Sequence, residues 1–211
     1  LYLGHNMRHM PVITQMRQII QDGLIGEVKA VWCRHFVGHG GDFYFKDWHA
    51  DRSRSTGLLL QKGAHDIDVI HWLAGAYTER VSAMGELAVY GDIEDRRDRT
   101  GEVMADWTSV DNWPPTELTG LNPVIDVEDI TQVNMRLAGG VLASYQQCHF
   151  TPDYWRNYTV IGTRGRIENF GDTPGSTIGA WTKRISGSGE PDMTWRVAEV
   201  EGGHGGAASL M

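Results

Sequence analysis

Residues 130–150 read ITQVNMRLAGGVLASYQQCHF, and this stretch decides the fold class. Two runs that alternate apolar and polar residues flank Ala138-Gly139-Gly140. A period of two is the mark of a strand with one buried face, and a short glycine-containing link reverses the chain into a hairpin. YTVIG (158–162) and RIENF (166–170) repeat the plan around the turn Thr163-Arg164-Gly165. TIGAWTKRIS (177–186) and MTWRVAEVE (193–201) read as further strands, and the tail GGHGGAASLM (202–211) as a glycine-rich, flexible end.

Upstream of the hairpin the pattern changes. PVITQMRQIIQDG (11–23) puts Val12, Met16, Ile19 and Ile20 on one helical face, with Pro11 suited to the first turn and Gly23 to the stop. Glu27 to Val37 is rich in β-branched and aromatic residues and predicts a strand. Gly38 to Gly57 is a long polar and aromatic loop, a length that usually carries function. A buried helix follows from about Ala64 to Ala74, then a strand over Arg80 to Tyr90. Gly91 to Asn122 carries Pro114-Pro115 and reads as an excursion over the surface. Helix, strand, helix and then paired strands make an α+β fold: an open, mostly antiparallel sheet with helices on one face. Val133, Met135 and Leu137 suggest that a partner subunit or another domain covers the other face, and a homo-oligomer built on the sheet is expected. No internal repeat is present.

The chain has 211 residues, 41% of them hydrophobic and 22% charged, enough apolar material for a real core. A net charge of −8 argues against a sequence-independent nucleic-acid binder, which needs basic surface. The two cysteines, Cys33 and Cys148, lie far apart and form neither a disulfide framework nor a metal pattern. Buried free thiols in a reducing, cytoplasmic setting are expected, with no membrane span. The chain begins LYLGHN, without Met, so an upstream segment is expected.

The richest chemistry lies in QKGAHDIDVIHWLAG (61–75). Ile67, Ile70, Leu73 and Ala74 form the expected core face of the helix, and His65, Asp68, Val69 and Trp72 a neighbouring stripe. Asp68, one turn from His65, would fix the imidazole tautomer and raise its basicity. Lys62 would share proton transfer or anchor a hydroxyl. The plainer reading makes Asp66 or His65 a helix cap and Lys62 a solvated side chain. In GHNMRHMP (4–11), Arg8 is either a substrate clamp or a salt-bridge partner. His5 with His9, and His35 with His39, lack further ligands close in sequence, so no metal is expected. Trp48 and His49 stand in the loop that leads to the histidine helix, beside a pocket or packed onto the loop itself. The glycines of YTVIGTRGRIENFGD and GGHGGA fit neither a dinucleotide fingerprint nor a phosphate loop.

Taken in order, HNMRHMP with a helix ending GLIGEV, the loop DWHADRSRSTG, the segment LLLQKGAHDIDVIHWLAG and the hairpin with IGTRGRIENF resemble the second domain of the glucose–fructose oxidoreductase, inositol dehydrogenase and MocA family. The resemblance covers essentially the whole chain. It implies a substrate-binding and oligomerisation domain over 1–211, with Leu1 to Leu3 as the remnant of the last strand of a Rossmann domain absent here. NAD or NADP would be bound mainly by that missing domain, which would also carry the family's Lys-Pro pair. His65 matches the family histidine facing the nicotinamide and the reacting carbinol, with Lys62 as its catalytic companion. Arg8, His49 and Asp68 would touch substrate, and Trp48 the cofactor. His49 stands where many members have Arg, Gln61 where many have Asp, and Thr56-Gly57 replaces a Gly-Gly pair. The implied function is hydride transfer between a sugar, cyclitol or related polyol and nicotinamide. A redox-inactive binding or scaffold protein, or an NAD-using glycoside hydrolase or lyase, is the alternative.

Overall fold

The computed structural model describes residues 4–103, 107–184, 187 and 189–198. The segments 1–3 and 202–211, read above as a strand remnant and a tail, lie outside them. In chain order the elements are α1 (Pro11–Gln21), β1 (Val28–Phe36), the one-turn α2 (Arg52–Ser55), α3 (Ala64–Ala74), β2 (Thr78–Glu86), β3 (Ile130–Leu137), β4 (Leu142–Cys148), β5 (Trp155–Gly162), β6 (Arg166–Phe170), β7 (Thr177–Trp181) and β8 (Met193–Arg196). The strands form a single sheet in the order β2-β3-β4-β1-β5-β6-β7-β8. Only β1 and β4 run parallel; the other neighbours are antiparallel.

The hairpin at 130–150 forms as its alternation predicts. Ile130 pairs with Cys148 and Arg136 with Leu142. Its turn needs glycine, because Gly139 and Gly140 sit at φ 74° and 81°, where a Cβ is strained. Thr131, Val133, Met135 and Leu137 are buried, as are Ala143, Tyr145 and Gln147 on β4.

That burial corrects one expectation. Val133, Met135 and Leu137 belong to the main core with the α1 and α3 side chains Ile13, Met16 and Leu73, so they face the helices and not a partner. The opposite face is polar. Arg34, Ser144, Gln146, Thr159 and Glu168 line a shallow hollow of 460 Å³ around the half-exposed Trp32.

Two segments outside the sheet also differ from their sequence reading. β2 stops at Glu86, short of the expected Tyr90, because the buried Asp129 carboxylate accepts the N–H groups of Ala88, Val89 and Tyr90 at 2.8–2.9 Å. These donors leave the strand ladder for a side chain. The stretch after it is no mere surface excursion: Tyr90, Leu118 and Leu121 pack with Val37, Phe45 and Leu58 in a second hydrophobic cluster. The long loop is thereby held as short helical turns. The strand expected over 177–186 ends at Trp181, where the Asp192 carboxylate takes the N–H groups of Thr182 and Lys183.

Asp129→Ala should therefore cost about 3 kcal/mol or more, since it leaves several buried donors without an acceptor. Urea unfolding followed by circular dichroism measures it; a loss under about 1 kcal/mol would show that these N–H groups find water.

Candidate active site

The site is built where α3 meets the sheet. A turn of π-helix, Leu59–Gly63, runs directly into α3 with no side-chain cap at Gly63. Such wide turns recur at functional sites because they shift side chains out of helical register. Gly63 is needed for close approach: a Cβ there would lie 2.8 Å from Leu59 Cδ1 and 2.9 Å from Tyr145 Cε1. The helix start thus presses directly onto β4.

The buried residues of α3 are Asp66, Asp68, Val69, Ile70 and Leu73, while Ile67 and Ala74 are only partly covered. The expected face is rotated, and the cause is Asp66. This carboxylate caps nothing. It is completely buried, and five side chains surround it. The Tyr158 hydroxyl donates to Oδ1, and Arg156 Nε lies 3.0 Å from the same oxygen. His35 Nδ1 lies 3.1 Å from Oδ2, the Tyr145 hydroxyl also 3.1 Å, and Cys33 Sγ 3.8 Å from Oδ1. Burial opposes ionisation, but the Arg156 guanidinium and the donors from His35 and Tyr158 outweigh it and hold Asp66 well below the usual carboxylate range. Burial and Arg156 both push His35 down, so its ring is neutral. The Nδ1–H tautomer satisfies both contacts: it donates to Asp66 and leaves Nε2 to accept from Arg156 Nη2 at 3.0 Å. Arg156 Nη1 reaches Asp172 Oδ2 at 2.9 Å, which also accepts from the Tyr154 hydroxyl at 2.7 Å.

Beside this network lies a cavity of 310 Å³, whose polar lining includes His35, Tyr44, Lys62, Tyr154, Arg156 and Asp172. Lys62 sits 5.3 Å from the Tyr44 ring centroid. Burial, and then the neighbouring Arg156, lower its pKa. His65 is half-buried, three residues further on, with Nδ1 covered and without a partner among the described residues. Burial first, then Lys62 and the neighbouring His5, lower its pKa, so the ring is neutral near pH 7 and suited to accept a proton.

Asp68 does not serve His65 as the spacing suggested. Arg8 grips it through both oxygens, Nε–Oδ2 at 2.6 Å and Nη2–Oδ1 at 2.5 Å, and His5 Nδ1 stands 3.3 Å away. The bidentate fork is the stronger partner, so the carboxylate turns to it. His5 then meets His65 edge-on, ring centroids 5.7 Å apart. Arg8 is thus a salt-bridge partner that also lies over Trp72 at 4.8 Å, and neither Arg8 nor Asp68 lines the cavity beside Lys62. Trp48 stacks on His49 at 3.9 Å, and His49 touches the Tyr44 ring at 5.2 Å. Trp48 borders a different, 520 Å³ cavity with Asp47, Arg54, Arg99 and Trp107. Rings run from Trp48 through His49 and Tyr44 to Lys62, so the loop and the helix meet although their cavities are separate.

Sequence reasoning missed His35, Asp66, Arg156 and Tyr154. Period-two burial along β1 carries Val31, Cys33 and His35 to the helix side, and β5 does the same for Arg156 and Tyr158. The alternation is the signal; a charged residue on a core face carries no local mark of its burial.

The family model for the GFO/IDH/MocA C-terminal domain matches residues 13–168. The chain belongs to this family. "Putative oxidoreductase YteT" of Bacillus subtilis is 28% identical over 99% of the chain and 58% of its own length. Among solved structures, levoglucosan dehydrogenase in complex with NADH and L-sorbose matches with TM-score 0.68 at 16% identity, over 98% of this chain and 53% of that one. Aldose-aldose oxidoreductase from Caulobacter crescentus, complexed with glycerol, gives 0.63 at 18%, over 100% and 51%. The chain therefore spans about half the length of these relatives, and at such identities the solved structures speak for the fold. No helix among the described residues is long and apolar enough to cross a membrane.

Removing Asp66 should be severe. Asp66→Ala would leave Arg156 buried beside a lost partner and cost about 3–5 kcal/mol. Because the folded pKa is depressed, this stabilisation is present above the unfolded value of ~3.9 and fades as pH falls through the folded one. Urea midpoints across acid pH should show a steeper decline for wild type than for Asp66→Asn; parallel curves would remove Asp66 from the acid response.

Proposed function

We propose that this chain is the substrate-binding domain of an NAD(P)-dependent oxidoreductase that moves hydride between a nicotinamide and a sugar, cyclitol or related polyol. The observation that carries this reading is the half-buried, neutral His65 at the helix start, one step from the cation and cavity at Lys62. A base of this kind takes the proton of a carbinol as its C–H hydrogen leaves as hydride. The nicotinamide supplies the hydride acceptor or donor. Trp48 fits a cofactor contact: one side is stacked on His49, while the residue stays 37% exposed at a cavity edge. His65 acts as general acid/base, and Lys62 holds the substrate next to it. Arg8 and Asp68 act behind them by fixing His5 against the His65 ring, and His49 backs Trp48. The polar sheet face is the surface through which copies of the protein would associate.

The full-length enzyme and its His65→Ala variant, assayed on sugars and cyclitols by nicotinamide absorbance, test the reading. Loss of His65 should lower kcat/KM about 100-fold or more. The acid limb of the wild-type pH profile should fall below the ordinary histidine value of ~6.5, since protonating His65 blocks it. Equal rates for the two proteins would refute the role of His65. Product formed without net change in the nicotinamide would favour a hydrolase or lyase that borrows the cofactor.

A further inference from the structure

Within the lining of the 310 Å³ cavity, the ionic groups are unequally satisfied. Arg156 is flanked by Asp66 and Asp172, and Asp172 also holds the Tyr154 hydroxyl. Asp66 lies beneath the lining and is ringed by donors. Lys62 is different. Among the described residues, none accepts a hydrogen bond from Nζ or closes an ion pair with it; its close partner is the Tyr44 ring. Burial first, then Arg156, lowers the Lys62 pKa and Asp66 raises it, and those two charges are already engaged with each other, Arg156 with Asp172 as well. The lining carries Lys62, Arg156 and Asp172, and of these Lys62 alone closes no ion pair among the described residues. A partly buried ammonium without a counter-ion is costly, and an anion bound from outside removes that cost.

We propose that Lys62 anchors a carboxylate group of the substrate, so that the preferred substrates are sugar acids and not neutral sugars. This deepens the function proposed above and rests on it. One unpaired ammonium matches a monoanion. A phosphate would bring about two charges, more than Lys62 can balance beside Asp172. The cavity is at the small end of the range for ligand sites, about 300–1,000 Å³, which suits a single sugar ring. The Tyr154 and Asp172 side chains in the same lining offer partners for ring hydroxyls. His65 is not among the residues of this lining; it lies three residues beyond Lys62, so a ring held by its acid group at Lys62 would present its carbinol to the base from the cavity mouth.

The test uses the full-length enzyme with matched pairs, D-glucuronate against D-glucose and D-galacturonate against D-galactose, in which a carboxylate replaces the terminal hydroxymethyl group. The measure is the ratio of kcat/KM for acid over neutral sugar. Wild type should favour the acid about tenfold or more, Lys62→Met should collapse that ratio by about tenfold to a hundredfold, and Lys62→Arg should restore part of it. Thermal-shift titration with the same four compounds reads binding without turnover; the acids should stabilise wild type and not Lys62→Met. No acid preference in either assay overturns the proposal. So does a Lys62→Met variant that loses both substrates equally, because the lysine then serves the proton transfer alone. Acid-selective binding without hydride transfer on any substrate would keep the carboxylate site and overturn the oxidoreductase reading instead.

Discussion

A carboxylate buried without water has to be paid for by its neighbours, and Asp66 recruits those neighbours from three strands. Cys33 and His35 come from β1, Tyr145 from β4, and Arg156 and Tyr158 from β5. Those strands lie side by side at the middle of the sheet. Only one rotation of α3 and one registry of β1, β4 and β5 bring all of them within reach. Apolar packing alone would tolerate some slippage of the helix over Val69, Ile70 and Leu73, whereas a charged hydrogen-bonded cluster is far less forgiving. The polar network therefore fixes an orientation that the surrounding hydrophobic contacts merely favour.

That orientation places the candidate site. Lys62 lies one turn before Asp66 on the same side, so it overhangs the ends of β1 and β5 where His35 and Arg156 reach the cavity. His65, next to Asp66 in sequence, turns away towards His5. The wide turn at Leu59–Gly63 and the missing side chain of Gly63 let the helix start approach closely enough for this.

What the sequence made legible was whatever is written at short range. The α3 limits at Ala64 and Ala74, the β3 strand and the β6 strand follow from local periodicity and agree with the structure. The α3 face came out rotated because counting apolar residues places an aspartate outside, and nothing within the helix announces the tyrosines and arginine that await it about 80–90 residues later. The same blindness hid the second cluster, where Phe45 stacks on Tyr90 at 4.2 Å across two long connections. Alternation separated the faces of β3 but could not say which of them the helices would take.

Two shells of charge flank His65, and their difference locates the place where something must come from outside. In the inner shell, Asp66, His35, Arg156 and Asp172 hold one another. In the outer shell, Arg8, Asp68 and His5 do the same. Between them, among the described residues, stand a lysine with only a ring for company and an imidazole whose covered Nδ1 meets no partner. Both flanking shells close their ion pairs, so leaving the lysine between them without one gains the fold nothing in stability. A bound molecule that pairs with it would remove that cost, which is the physical reason to read this corner of the domain as half of a reaction site.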